Sequence, residues 1–137
     1  MNYKRLIESV KHHEGYRERA YTDTLGYETI GYGFAIKNLK LEKDIAGLIL
    51  ERKLQVLIAE VYSRHPWVIE TPAAVQEVIV EMCYQLGVGG FSKFKKTIRK
   101  LQDKNFKGAS VEMLDSRWAK QTPNRAKEMS EIIKGQL

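Results

Sequence analysis

The sequence predicts an α+β fold in which helix is the dominant element. Apolar residues recur at helical spacing over most of the chain, whereas residues 16–36 alone combine aromatic and β-branched residues with glycines and show no helical period. The chain has 137 residues, of which 43% are hydrophobic, so it can form the core of one domain. We therefore expect a single domain, residues 1–137, with a small β lobe and a larger helical lobe.

The first part of the chain predicts a short helix followed by a β-hairpin. Residues 3–13 have an amphipathic pattern, and Gly15 follows them as a stop signal. Within residues 14–37, two segments of strand character flank a turn at residues 24–26. These features predict that the small β lobe covers about residues 14–37.

A long helix is predicted next, over about residues 41–64, because its apolar residues keep the helical spacing. About 24 residues at the rise of an α-helix span roughly 36 Å. Pro66 should end this helix. A rod of that length, placed directly after a small sheet, is suited to connecting the β lobe to a helical lobe at residues 66–137.

The helical lobe should begin at Thr71-Pro72, with the threonine as N-cap and the proline at the first helical position. The helix that follows has little polar face, which predicts that it is the buried central helix of the lobe. We expect the glycines at 87, 89 and 90 to break it. Further helices are predicted from Phe91 to Leu101, around residues 106–115, and from Thr122-Pro123 onward.

Charge and cysteine content limit the classes of partner and compartment. The formal net charge is +6, which favours polyanionic partners such as nucleic acid, an anionic membrane or an anionic cell wall. The single cysteine, Cys83, excludes an internal disulfide and lies in an apolar run, so we expect a small buried side chain. No apolar run is long enough for a signal peptide or a membrane span, which predicts synthesis in the cytoplasm.

Three residues near the start of the chain form a candidate catalytic group. Eight residues separate Glu14 from Asp23, and five separate Asp23 from Thr29. Glycoside hydrolysis uses one carboxyl to protonate the leaving oxygen and another to act on a water. Glu14 should end the first helix, whose negative end favours the protonated form of a carboxyl group. A tight hairpin would bring residues 23 and 29 together, facing that helix end.

The same residues carry a family resemblance. The segment EGYRERAYTDTLGYETIGYG resembles the catalytic stretch of the T-even phage lysozyme family, the glycoside hydrolase family 24 endolysins. The segment SRWAKQTPNRAKEM, residues 116–129, is similar to a signature of that family's C-terminal lobe. A weaker similarity covers MCYQLGVGGF, residues 82–91. The resemblance implies a lysozyme-like fold with an active-site cleft between the two lobes.

The resemblance also implies an activity, namely inverting hydrolysis of the β-1,4 bond between N-acetylmuramic acid and N-acetylglucosamine in peptidoglycan. Glu14 would be the general acid, Asp23 would steady or deprotonate the attacking water, and Thr29 would hold that water. In an inverting enzyme the two carboxyl groups lie roughly 6.5–9.5 Å apart, which leaves room for the water. No metal or other cofactor is implied.

Further residues are assigned by the same resemblance. Arg125 matches an arginine of the helical lobe that pairs with the catalytic glutamate, while Gln85 and Gly33 match positions that line the saccharide cleft. Tyr84 and Trp118 match aromatic positions nearby, where each is either a substrate contact or part of the core. Two departures from the family pattern are a phenylalanine, Phe34, in place of a histidine, and shorter segments between the hairpin and the long helix and at residues 87–90.

The expected partner is bacterial peptidoglycan, and the basic helix at residues 91–101 would face the anionic wall. We expect no nucleic-acid partner, no membrane insertion and a monomer that remains in the host cytoplasm until it is released to the wall. Two alternatives remain at this point. One is a nucleic-acid-binding module, which the charge suggests but no recognised motif supports. The other is a non-catalytic wall-binding protein on a lysozyme scaffold.

Overall fold

A computed structural model describes residues 1–137. The chain forms seven α-helices and a three-stranded antiparallel sheet, so the prediction of a helix-dominated α+β fold is confirmed. It divides into two compact units, Met1–Ala46 and Gly47–Leu137, called here the first unit and the second unit. None of the helices combines the length and the apolar character needed to cross a membrane.

The first helix of the chain, α1, covers Tyr3–Glu14, which is one residue longer than predicted. Its N-terminus is capped by Asn2, whose side chain accepts a hydrogen bond of 3.0 Å from the backbone N–H of Arg5. At the other end Gly15 has φ 73°, and its N–H donates to the carbonyl of Lys11. The stop therefore follows Glu14 directly, and this acid is the last residue of the helix.

The sheet of the first unit contains the predicted hairpin and one more short strand. Thr29 lies in the central strand, opposite Tyr21 on one side and Ala35 on the other. The third strand was not predicted, because its two residues are too few to show any alternation. A 3-10 helix, Ile36–Asn38, follows the sheet. The strands, in spatial order, are Arg17–Thr22 (β1), Glu28–Gly31 (β2) and Phe34–Ala35 (β3).

The long helix predicted at residues 41–64 is α2, Lys43–Arg64. A 3-10 helix, Pro66–Glu70, follows it and was not predicted. The predicted N-cap role of Thr71 is wrong, because its hydroxyl donates a 2.6 Å hydrogen bond back to the carbonyl of Val68 in that 3-10 helix. The next helix accordingly begins at Ala73, one residue later than predicted.

The central helix of the second unit is α3, Ala73–Ser92, and its predicted burial is confirmed. Of the glycines expected to break it, only Gly87 leaves helical geometry, with φ 77° and ψ 159°. The helix resumes beyond this kink and ends at Ser92. Phe91 therefore belongs to α3 and not, as predicted, to the following helix.

Four shorter helices complete the second unit: Lys95–Gln102 (α4), Phe106–Leu114 (α5), Arg117–Gln121 (α6) and Pro123–Lys134 (α7). Helix α6 was not predicted. Thr122 occupies the N-cap position of α7, but its hydroxyl donates to the carbonyl of Trp118 instead of capping. Every buried hydrophobic side chain lies in this unit, with Ile79, Met82 and Phe91 among the largest.

Candidate active site

Asp23 lies at the turn between β1 and β2, and the turn fixes the orientation of its carboxylate. Its Oδ1 accepts two backbone hydrogen bonds, one of 2.9 Å from Leu25 and one of 2.8 Å from Tyr27. Its other oxygen, Oδ2, has no hydrogen-bond partner in the protein. The hairpin therefore holds the carboxylate in one orientation through one oxygen and leaves the second oxygen available.

The main chain of Tyr27 joins Asp23 to Thr29. The carbonyl oxygen of Tyr27 accepts a 2.8 Å hydrogen bond from the backbone N–H of Asp23 and a 3.0 Å hydrogen bond from Thr29 Oγ1. Because the hydroxyl proton of Thr29 is used in this bond, the lone pairs of Oγ1 are free to accept another. The hairpin thus brings Asp23 and Thr29 together. Sequence reasoning missed Tyr27, whose contribution comes from its backbone.

Thr29 is the one buried residue of the first unit, with 5% of its surface exposed. Its position in the central strand explains this, because neighbours pair with it on both sides. A hydroxyl held this way has one dominant direction, set by its bond to the Tyr27 carbonyl. The group therefore offers an oriented acceptor beside the carboxylate of Asp23.

The carboxyl group of Glu14 lies against Gly33, in the turn between β2 and β3. Gly33 has φ 77°, and a Cβ atom added there would collide with Glu14 Oε2 and lie 3.2 Å from Cδ. Both the backbone conformation and the space occupied by the acid therefore require glycine at this position. The structure places Gly33 beside the candidate general acid, a more specific position than the cleft lining implied by the resemblance.

The surroundings of Glu14 are basic and lack a metal cluster. The last turn of α1 also contains Lys11, His12 and His13, basic residue types that are favoured near the negative end of a helix. His13 Nδ1 lies 3.4 Å from Ser9 Oγ. No group of three or more histidine, cysteine, aspartate or glutamate residues is arranged to hold a metal ion. The candidate groups that the first unit presents for catalysis are the carboxyl groups of Glu14 and Asp23 and the hydroxyl of Thr29.

In the second unit, Trp118 and Gln85 are connected by a hydrogen bond. Trp118 Nε1 donates to Gln85 Oε1 at 2.9 Å, and the indole packs edge-on against Phe94, with ring centroids 6.0 Å apart. Trp118 is only 4% exposed, so it belongs to the core and is not placed to stack on a saccharide. Its role is to fix the amide of Gln85 with the NH₂ group left to donate. Tyr84, by contrast, is 48% exposed.

Arg125 has an acidic partner within its own unit. Its Nε donates to Glu81 Oε2 at 2.9 Å, which connects α7 to α3 across 44 positions of sequence. Both side chains are partly exposed, so the pair contributes little to stability. Sequence analysis did not single out Glu81, because neither spacing nor composition marks a partner so distant along the chain.

A groove of about 560 Å³ lies beside Trp118 in the second unit. Phe94 and Trp118 line it, together with charged residues of both signs. The charged residues that line it are Lys93, Lys95, Lys96, Glu112, Asp115 and Arg117.

Comparison with known proteins identifies the family of this chain. The model of the phage lysozyme family matches residues 11–134, which include Glu14, Asp23, Thr29 and the candidate residues of the second unit. The chain is 27% identical to the probable T4-type lysozyme 1 of Dictyostelium discoideum, over 93% of this chain and 92% of that protein. It is 25% identical, with the same coverage, to the probable T4-type lysozyme 2 of that organism.

A third relative is much longer. The chain is 29% identical to the pre-baseplate central spike protein Gp5 of Enterobacteria phage T4, over 93% of this chain but only 27% of that protein. The alignment with the first Dictyostelium protein extends over 158 positions, although this chain has 137 residues. That relative therefore has residues without a counterpart here. Since the family match covers nearly the whole sequence, this chain belongs to the phage lysozyme family.

Proposed function

We propose that this protein is a peptidoglycan hydrolase that cleaves the β-1,4 bond between N-acetylmuramic acid and N-acetylglucosamine. The observation that carries the proposal is the connection of Asp23 and Thr29 through the backbone of Tyr27. This arrangement presents an unused carboxylate oxygen and an unused hydroxyl acceptor from one hydrogen-bonded hairpin. A pair of acceptors of this kind is suited to orienting one water molecule.

In the proposed reaction, Glu14 protonates the glycosidic oxygen as the C–O bond breaks. The carboxyl group lies at the surface of the first unit against Gly33, which has no side chain to cover it. A saccharide oxygen can therefore approach the acid over the backbone of Gly33. This requirement gives Gly33 its proposed role in binding substrate, since any larger residue would displace Glu14.

The attacking water would donate one proton to Asp23 Oδ2 and the other to Thr29 Oγ1. Its lone pair would then point away from both acceptors, toward the anomeric carbon. Asp23 takes up a proton as the new C–O bond forms, so charge is balanced when Glu14 has released its own proton to the leaving group. Attack on the face opposite the leaving oxygen inverts the anomeric configuration.

The second unit would contribute to substrate binding. Gln85 can donate from its NH₂ group, since its oxygen is engaged by Trp118, and Tyr84 presents an exposed ring. The resemblance assigns Arg125 to the catalytic glutamate, and Glu81 holds its Nε edge within the second unit. The unpaired cations around α4 would attract the anionic wall, an effect that salt weakens.

The wall would be reached from the cytoplasm of a host bacterium after release.

Turbidity clearing of outer-membrane-permeabilised Gram-negative cells tests the proposal, with Glu14→Gln compared against the wild type. Loss of a general acid should reduce the rate on the order of 100- to 10,000-fold. Glu8→Gln is the matched control, because Glu8 is an exposed acid of the same helix. This substitution should leave lysis unchanged.

Equal lysis by the wild type and Glu14→Gln would contradict the proposed role of Glu14. Absence of lysis by all three proteins, with intact binding to the wall, would instead support the alternative of a non-catalytic wall-binding protein. Neither glutamate is buried, so both variants should keep the fold. Circular dichroism of each variant checks this.

A further inference from the structure

Three aromatic side chains form a continuous row on the first unit, called here the aromatic ladder: Tyr16, Tyr32 and Phe34. The ring centroids of Tyr16 and Tyr32 are 5.5 Å apart with their planes at 46°, and those of Tyr32 and Phe34 are 6.5 Å apart at 73°. Tyr16 is 62% exposed and Phe34 is 47% exposed. The row is therefore a stepped apolar surface that water can reach.

The aromatic ladder is continuous with the candidate site. Gly33, which lies against the carboxyl group of Glu14, is the residue between Tyr32 and Phe34. Tyr16 follows Glu14 by two residues at the start of the sheet. The ammonium group of Lys11, one turn before Glu14 on α1, lies 5.6 Å from the centre of the Tyr32 ring. Gly33 and Lys11 thus connect the surroundings of the candidate acid to the ladder.

Packing does not account for these side chains. No hydrophobic side chain of the first unit is buried, so the aromatic ladder is not part of a core. No hydrogen bond within the protein involves the phenol hydroxyl of Tyr16 or of Tyr32. Contiguous exposed aromatic surface with free polar groups at its edge is characteristic of a binding site.

We propose that the aromatic ladder is a glycan-binding subsite, which takes a pyranose ring of the same peptidoglycan strand beyond the ring whose bond is cleaved. This inference rests on the proposed function and names a further contact for its substrate. The apolar C–H face of the sugar would stack on the ring of Tyr32 or Tyr16, and the phenol hydroxyls would bond to sugar hydroxyl or N-acetyl groups. Lys11 would donate to a sugar or lactyl oxygen.

A glycan fits this surface better than a membrane or a flat protein face does. The interplanar angles of 46° and 73° give the row a stepped outline, which matches a puckered sugar ring better than a flat surface. Two of the three side chains are tyrosines, which combine an apolar face with a polar edge as a sugar does. Because the ladder adjoins the surroundings of Glu14, we expect its ligand to be the substrate on which Glu14 acts.

The test is a binding measurement with protein that carries Glu14→Gln, which prevents cleavage of the ligand. The ligand is a set of peptidoglycan glycan strands that have been freed of stem peptides and fractionated by length, and the Kd is measured for each variant. Tyr16→Leu and Tyr32→Leu should each raise the Kd roughly 2- to 12-fold, since an aromatic contact contributes about 0.5–1.5 kcal/mol. Tyr32→Phe keeps the ring and should keep most of the affinity. Tyr3→Leu is the matched control, because Tyr3 is an exposed tyrosine of the same unit outside the ladder.

The subsite would be overturned by no measurable binding of the Glu14→Gln parent, by an unchanged Kd for both leucine variants, by an equal rise for Tyr3→Leu, or by a lower Tm with an unchanged Kd. Loss of binding to vesicles of anionic phospholipid with unchanged glycan binding would assign the row to a membrane, which also overturns it. Failure of the proposed function is distinct, because it would appear in the turbidity assay as absence of lysis by the wild type.

Discussion

In the second unit, Gly47–Leu137, hydrophobic side chains from most of the helices are buried together, whereas in the first unit, Met1–Ala46, the only buried side chain is that of Thr29. The second unit is held together by a core. The first unit is held by the hydrogen bonds of its sheet, by the turn at Asp23 and by aromatic contacts at its surface.

The difference shows how the proposed catalytic groups are oriented without a core. Asp23 and Thr29 are fixed by hydrogen bonds to backbone groups, so their geometry depends on the turn and not on packing. A unit with few buried apolar contacts also opens locally at low cost. Substitutions in the second unit should therefore mainly lower the free energy of unfolding, whereas substitutions in the first unit should mainly lower the catalytic rate.

The largest expected effect on stability comes from Phe91→Ala in the second unit. Phe91 is fully buried, and its ring contacts those of His65 and Phe94. Its truncation should lower the free energy of unfolding by about 3–5 kcal/mol. Phe34→Ala, which truncates a 47% exposed phenylalanine of the first unit, should cost about 1 kcal/mol or less. Urea unfolding measures both, and equal losses would remove the contrast between the units.

A smaller effect on stability but a large one on activity is expected from Thr29→Val. The substitution keeps the shape and removes the hydroxyl, so it should cost about 1 kcal/mol of stability for the lost hydrogen bond to Tyr27. Loss of an oriented polar contact to the reacting water should reduce lysis on the order of 100-fold. Thr29→Ser keeps the hydroxyl and should remain active. A fully active Thr29→Val protein would refute the assigned role.

The smallest expected effect is a pH dependence of the second unit through His65. Its Nε2 lies 2.8 Å from Ser92 Oγ, which itself donates to the Val88 carbonyl, so the ring nitrogen must be the donor. Burial, and secondarily the charge of Arg64, hold the pKa of His65 below its ordinary value of about 6.5. As pH falls, the unfolded chain therefore binds this proton first.

The stability contributed by neutral His65 should be complete above about pH 6.5 and should be lost as pH falls through the lower, folded-state pKa. The free energy of unfolding, measured by urea titration between neutral and acidic pH, should fall more steeply for the wild type than for His65→Gln. The glutamine can still donate to Ser92 but does not titrate. Identical slopes would contradict this account of His65.

Local patterns predicted the helices well because the apolar spacing of α2 and α3 is a local property of the sequence. The N-cap assigned to Thr71 failed because its hydroxyl bonds back into a 3-10 helix that has too few residues to show a period. Gly87 alone breaks α3, although three glycines occur together, since only this one adopts a positive φ.

The candidate site was predictable in its residue types and less so in its connections. The spacing of Glu14, Asp23 and Thr29 identified three side chains, but the link between the last two runs through the backbone of Tyr27, which no side-chain pattern reveals. Burial of Trp118 likewise depends on helices that are distant along the chain. Contacts of this kind follow from tertiary packing and turn conformation.

Glu14, Asp23 and Thr29 are proposed to catalyse single-step hydrolysis of the bond that follows N-acetylmuramic acid. Proton NMR of the first-formed product from purified glycan strands, recorded before mutarotation, tests it most directly. We expect a new reducing end on N-acetylmuramic acid in the α configuration, and no such product from Glu14→Gln. A first-formed β-anomer, or a new reducing end on N-acetylglucosamine, would contradict it.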